Sequence, residues 1–223
     1  MNNVANINDV AKSNYLEIMK AFLMQLVLFL VGTFVGIFFI PNSVKSILNI
    51  CFFVLIIFSM FSRKTNLFRT KASTNIYAAF FGILSGSAYV YYFVTLGAGA
   101  FLFTVLCVIF IFAASYLTAK NSSADSIFNL SKILIPGLIV LIIGEGLMYF
   151  FFRYSAYVIG VSIIGIIVYT AYTIVTMRSL MERVSYGPLS DEEVAAYSFS
   201  LFINVLYLIL DILRLLSIIS DND

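Results

Sequence analysis

The chain has 223 residues, of which 62% are hydrophobic and 11% charged, and its formal net charge is +2. Soluble domains run nearer half apolar and a quarter charged, so composition argues against a soluble fold, and no basic run is long enough to imply a nucleic-acid partner. Histidine is absent, which removes a histidine metal ligand, a catalytic imidazole and a histidine pH switch from consideration.

The first 20 residues carry Asn3, Asp9, Lys12, Glu17 and Lys20. This is not the basic start, apolar core and small-residue site of a cleaved signal, so the first hydrophobic helix is expected to stay and act as the insertion signal. Seven spans are predicted in chain order. The first covers about residues 20–40 and ends before Pro41; the second, the shortest, covers about 44–61. The third covers about 74–95 and a tight TLGAG turn follows, leading to a fourth at about 99–119. The fifth lies at about 131–152, the sixth at about 155–177 and the seventh at about 197–219. Each approaches the ~20 residues that an α-helix needs to cross ~30 Å of hydrocarbon. The apolar runs are continuous, not alternating, which disfavours a β-barrel and leaves helices as the way to satisfy the backbone in lipid. The expected architecture is all-α and integral to the membrane. A short cytoplasmic segment at 1–19 precedes a single seven-helix domain at 20–219 and a tail at 220–223.

Basic residues set the orientation. With the N-terminus inside, the cytoplasmic segments hold Lys12, Lys20, Arg63, Lys64, Arg69, Lys71, Lys120, Lys132, Arg178 and Arg183, while the outer loops hold Lys45 and Arg153. This is a strong positive-inside bias. Seven spans put the C-terminus outside; six would put it inside.

Several local signals have structural readings. Gly32/Gly36 and Gly82/Gly86 form G-x-x-x-G pairs, and Gly160 and Gly165 repeat the pattern with one extra residue; such spacing lets helices approach closely. Gly187-Pro188 marks a turn. Ser190 followed by Glu193 predicts a reciprocal N-cap for the last helix. Pro136-Gly137 is a candidate bend in the fifth span. Cys51 and Cys107 sit in apolar runs and read as packing residues, too few for a thiolate zinc site. Asn121 and Asn129 match the glycosylation acceptor but fall in an expected cytoplasmic loop. The phosphate-loop, zincin and nucleophile-elbow patterns are absent from the sequence, so neither an enzyme nor a cofactor is expected.

Ionisable groups inside apolar spans carry the functional reading, because they are costly there and face protein or a wet path. Three stand out: Glu145, Asp211 and Arg214. Asp211 and Arg214 are three apart and share one side of a helix. They read either as an ion pair fixing helix positions or as part of an ion path or gate. Glu145 has no partner in its own span; its options are Arg214, a protonated state or a water-filled cavity. Ser200 and Asn204 extend a polar stripe toward Asp211 and Arg214. Thr170, Thr173 and Thr176 form a weaker line on the sixth span, since threonine returns its hydroxyl to its own backbone.

The order and spacing of four stretches resemble the Bax inhibitor-1 (transmembrane Bax inhibitor motif) family. FGILSGSAYVYYF looks like that family's third-helix region. TVLCVIFIFAASYLTAKNSSADSIFNLSKIL, with Tyr116, Thr118 and Lys120, looks like its fourth helix and following loop. YVIGVSIIGIIVYTAYTIVTM looks like its sixth helix and SFSLFINVLYLILDILRLLS its last. The resemblance implies seven helices with the last enclosed by the other six. It also implies a likeness to bacterial pH-sensitive calcium leak channels, in which two aspartates on the last two helices share a proton or hydrogen bonds and close the pore. Here the sequence departs. A gapless match through Arg214 puts Asn204 and Thr176 at the two aspartate positions, and an alternative register puts Leu201 in place of Asn204. Either way no acid remains. Neutral side chains do not titrate at ordinary pH and make a poor calcium site. The expected function is a membrane ion leak channel of the calcium-leak type with altered or absent proton gating, calcium or another cation being the conducted species. Alternatives are a non-conducting regulatory or interaction protein on the same scaffold, or a small-solute transporter. A monomer in the lipid bilayer is expected.

Overall fold

The computed structural model describes residues 2–41, 43–51, 70–150 and 155–220, and every regular element among them is an α-helix. In chain order these are α1 (Asn2–Phe39), α2 (residues 43–51), α3 (Lys71–Asn121), α4 (Ala124–Phe150), α5 (Ser155–Val184) and α6 (Asp191–Ser220). Five of them are long and apolar enough to cross a membrane: Asp9–Phe39, Lys71–Asn121, Asp125–Glu145, Ala156–Val184 and Asp191–Ser220. The chain is therefore an all-α, multi-pass membrane protein.

The expectation of seven spans, the last enclosed by six, is corrected. Five candidate spans lie among the described residues; the third and fourth expected spans both fall within Lys71–Asn121, as two helices that meet at a kink at Gly97, whose φ of 82° and ψ of 166° are not helical. This residue lies in TLGAG, where a turn was expected; glycine tolerates a positive φ that a side chain would resist. The second expected span, at about 44–61, lies outside the described residues from position 52 onward. The helix bounds also reach further than hydropathy suggested. α1 starts near the N-terminus, and α5 and α6 extend past the apolar stretch into charged turns. Periodic hydrophobicity marks the lipid-exposed stretch, while backbone hydrogen bonding continues beyond it into the interfacial region.

The chain divides into two compact units. The first comprises Met1–Val90 and Arg183–Phe202. Within it, α1 turns much of its large apolar surface outward. On α1 the buried positions are Asn14, Ile18, Gln25 and Phe29, with Gly32 and Gly36 above them, while Leu23, Val27, Leu30, Phe34 and Phe38 are exposed. Lipid is as apolar as leucine, so helices associate here through small and polar residues. The two G-x-x-x-G pairs face each other. A Cβ on Gly32 would strike the Ala79 backbone and one on Gly36 the Ile83 backbone. Conversely, Gly82 abuts the backbone at Phe29 and Thr33, and Gly86 abuts the Thr33 side chain. Both contact series advance together, so α1 and the start of α3 run parallel. Phe29 anchors the seam, with ring centroids 6.1 Å from Phe81, 5.4 Å from Tyr89 and 6.1 Å from Phe202. Gln25 and Ser198 are fully buried, and Gln25 Nε2 donates to Ser198 Oγ at 3.1 Å.

The polar end of this unit is tied together. Buried Asn14 Nδ2 donates to the carbonyls of Val184 (3.4 Å) and Gly187 (2.9 Å), and its Oδ1 accepts from Leu189 N at 3.2 Å. Gly187 turns the chain with a φ of 147°. The expected N-cap forms in both directions: Glu193 N donates to Ser190 Oγ at 3.3 Å, and Ser190 N donates to Glu193 Oε2 at 2.9 Å. Arg183 forks onto the same Glu193, with Nη2 to Oε2 at 2.9 Å. Lys71 meets Asp191 at 2.6 Å and Glu17 at 4.0 Å.

The second unit comprises Tyr91–Glu182 and Ile203–Asp223. Its core is Val108, Leu141, Val161, Tyr169 and Leu208, one or two residues from each contributing helix. Gly144 packs on Val161 and Gly137 on Val168, an antiparallel match of α4 and α5. α4 continues through Pro136.

Asn14 holds three backbone groups of the α5–α6 turn. We expect Asn14→Ala to leave those groups short of partners and to cost about 2 kcal/mol of stability, since each lost buried hydrogen bond is worth ~1 kcal/mol or more. The check is thermal unfolding of purified protein in detergent, with limited proteolysis at residues 185–190 as the local readout. Unchanged unfolding and unchanged cleavage would mean the turn does not depend on Asn14.

Candidate functional site

α6 supplies two of the three ionisable groups at the centre of the second unit. A helix brings residues three apart onto one side, and Arg214 Nη1 donates to Asp211 Oδ1 at 3.0 Å. The same Nη1 donates to Glu145 Oε1, on α4, at 3.3 Å. Asp211 is 1% exposed, and the Arg214 and Glu145 side chains are 14% and 22% exposed. The structure thus joins the three acids and bases that interrupt the apolar sequence into one cluster, with Arg214 as the hub.

Charge does not balance within it. Two carboxylates face one guanidinium, so the cluster carries one surplus negative charge when both acids are ionised. Arg214 also leaves part of the cluster unmet: Asp211 Oδ2 is buried and has no hydrogen-bond partner among the described residues. That oxygen lies against Gly165 of α5, where an added Cβ would strike it. Aromatic groups close the surroundings. Tyr92 of α3 lies near enough to the Arg214 guanidinium to feel its charge. Tyr169 stacks on Tyr207 with centroids 4.8 Å apart and planes 12° from parallel. Tyr157 Oη donates to the Gly144 carbonyl, next to Glu145, at 3.1 Å.

The Gly165–Asp211 and Tyr169–Tyr207 contacts set an antiparallel register in which four steps forward on α5 match four steps back on α6. Continued by one more such step, Asn204 lies level with Tyr172 and Thr173. Thr176 lies about one turn, ~6 Å, further along. Both Asn204 and Thr176 are buried, and Asn204 Nδ2 has no hydrogen-bond partner among the described residues. Thr173 is buried with its hydroxyl on the Tyr169 carbonyl at 2.7 Å. Asn204 is seven residues, or about 10 Å, from Asp211 along α6. Ser200 belongs to the first unit and is half-buried. The expected stripe therefore separates into a charged cluster and a neutral polar stretch.

The sequence reading did not assign roles to Gly165, Tyr92, Gln25 or Ser198. Gly165 was visible only as half of a small-residue pair, and Tyr92 as one of three neighbouring tyrosines. Gln25 carried a usable signal: a lone amide inside the first apolar span needs a partner from another helix. Among the described residues no group of three or more acidic or cysteine side chains is disposed to hold a metal ion. Arg214 sits between the two acids that come closest, and its positive charge opposes a divalent cation there.

Residues 12–222 match the family profile described as Inhibitor of apoptosis-promoting Bax1. No curated protein matches the chain.

The hub arrangement makes the three charged residues unequal. Arg214→Ala leaves two buried acids without a cation and is expected to lower stability by about 3 kcal/mol, in the range for breaking a buried pair from one side. Asp211→Asn leaves a one-to-one Arg214–Glu145 pair and should cost less than half as much. Denaturant unfolding in detergent of the two variants checks this. An equal loss for both would mean that Arg214 is not the hub.

Proposed function

The chain belongs to the Bax inhibitor-1 family, and from that premise we propose that it is a membrane cation leak pathway whose gate is the Glu145–Arg214–Asp211 cluster, in place of the family's aspartate pair. The family is one of non-enzymatic membrane proteins, and catalysis forms no part of this reading. The observation that carries the proposal is the surplus acid beside a single guanidinium, with a buried carboxylate oxygen left unpartnered. Ionisable groups at this depth are costly and are found where a function uses them.

The mechanism follows from charge. When both acids are ionised, one negative charge in a low-dielectric interior is uncompensated, and its repulsion acts between α4 and α6. Uptake of one proton cancels it and lets Arg214 hold the two helices together. The proton occupies the pair and not one residue, because closely coupled acids titrate as a unit. Asn204 and Thr176 contribute hydrogen-bonding atoms and no titratable group. Calcium takes six to eight oxygen ligands at about 2.3–2.6 Å, which supports weak discrimination between calcium and monovalent cations. The N-terminal side is proposed to be cytoplasmic, on the strength of Lys12 and Lys20 beside the first span.

A second reading, a non-conducting regulatory protein on the same scaffold, is favoured by one observation: Arg214 already bridges both acids, which suits a static fastening as well as a gate.

Liposomes containing the purified protein separate these readings. Cation flux above that of empty vesicles should rise as pH is raised, and Asp211→Asn or Glu145→Gln should abolish that pH dependence. Absence of flux at every pH supports the static fastening. Restoring acids in a Thr176→Asp, Asn204→Asp double variant should add a pH-dependent calcium entry. If none appears, the inherited mechanism does not transfer to these positions.

A further inference from the structure

We propose that Gly165 is a positioning residue of the ion cluster: its missing side chain forms the seat on α5 that holds the Asp211 carboxylate in place while Arg214 holds the other oxygen. This rests on the reading of the cluster as the gate.

The glycines of the membrane helices do different things. Gly32, Gly36 and Gly82 are taken up by the backbone of a neighbouring helix, and Gly86 by the Thr33 side chain. Gly160, the other member of the α5 pair, has nothing within 4 Å of an added Cβ. Gly165 alone among the described glycines faces a charged group: a Cβ there would meet Oδ2, Cγ and Oδ1 of Asp211 together. Its backbone is not in the positive-φ region, where, among the described residues, Gly97 and Gly187 lie. Conformation therefore does not require glycine at 165, and helix propensity disfavours it. The reason for glycine is space, and the occupant of that space is the carboxylate.

The seat has a physical consequence. Asp211 is fixed at two points, by Arg214 at Oδ1 and by contact with α5 at Oδ2. The carboxylate cannot move further toward α5 without a clash, and Arg214 ties its other oxygen. Close approach of Oδ2 to the glycine Cα also permits a weak C–H···O contact. The groups around the carboxylate are then Arg214 from α6, Glu145 from α4, Tyr92 from α3 and Tyr169 from α5, with Tyr207 stacked on Tyr169. A shift of the carboxylate changes its distance from every one of them. It therefore changes the proton equilibrium of the whole cluster.

The test is a double-variant cycle on full-length protein in lipid nanodiscs: Gly165→Ala, Asp211→Ala and the two combined. Gly165→Ala should lower the unfolding temperature by about 4 °C in the native background. With Asp211→Ala it should lower it by less than half as much, or raise it, because the occupant has gone and alanine favours the helix. If Gly165→Ala alone does not fold while the combined variant does, the seat is supported. An equal loss in both backgrounds, or failure of both to fold, would overturn it and assign Gly165 to helix packing alone. In liposomes, Gly165→Ala should move the pH midpoint of the leak by more than half a pH unit, and Gly160→Ala should leave it in place. Absence of leak in the native protein would defeat the gate reading, while the unfolding cycle would still decide whether Gly165 seats Asp211.

Discussion

Hydrocarbon offers no hydrogen bonds, so every polar atom carried into it must be met by the protein itself or by enclosed water. The helices of this chain are arranged by that rule. In the first unit α1 turns many of its large apolar residues outward, while Asn14, Gln25, Gly32 and Gly36 face inward beside Ile18 and Phe29. Gln25 finds Ser198 and Asn14 finds the backbone of the α5–α6 turn. In the second unit the same demand draws Glu145, Asp211 and Arg214 to one point. Fold and site are thus consequences of one constraint acting on different residues.

Much of this was legible in the sequence, and for a reason that can be named. Composition and long apolar runs identify membrane helices because the bilayer imposes both a length and a polarity. The reciprocal cap of Ser190 and Glu193 was readable because its geometry is entirely local. The facing glycine pairs of α1 and α3 were readable as close-packing surfaces, though not as partners of each other. The pairing of Asp211 with Arg214 followed from helix periodicity, while for Glu145 the sequence offered Arg214 as one of three options, and the structure shows that contact. The span count failed where hydropathy has least to say. The break expected at TLGAG does fall there, at Gly97, but as a kink and not a long loop, and helices do not stop where the apolar stretch stops. Gly165 was equally hidden, because a missing side chain has no chemistry of its own and acquires meaning only from its neighbour.

On the proposed reading the gate is a guanidinium between two acids in place of a pair of acids, and this changes what a gate can do. Two carboxylates that face each other repel when ionised and bind when they share one proton; the balance swings through a single group. In the cluster found here the ionised state is already partly neutralised by Arg214, so the swing is between a surplus of one negative charge and none. The driving force for separating the helices is correspondingly smaller, and the closed arrangement keeps two charge-assisted hydrogen bonds in both protonation states. A design of this kind favours a tighter, less steeply pH-dependent closure.

If the cluster is the gate proposed above, its charges also bear on ion choice. A path lined at its narrowest by acids alone attracts divalent cations, because each carboxylate supplies both charge and hard oxygen ligands. Arg214 withdraws those oxygens from use: Asp211 Oδ1 and Glu145 Oε1 are committed to the guanidinium, and Asp211 Oδ2 is pressed against α5. The neutral Asn204 stretch about 10 Å away along α6 offers no charge to compensate. A cation passing the cluster must meet a net charge that is small in either protonation state. This weakens the hold on a divalent ion more than on a monovalent one, since the attraction scales with the charge of the ion. On the proposed reading, the residues that hold the buried cluster together are also the ones that set selectivity, so a change at Arg214 is expected to alter both.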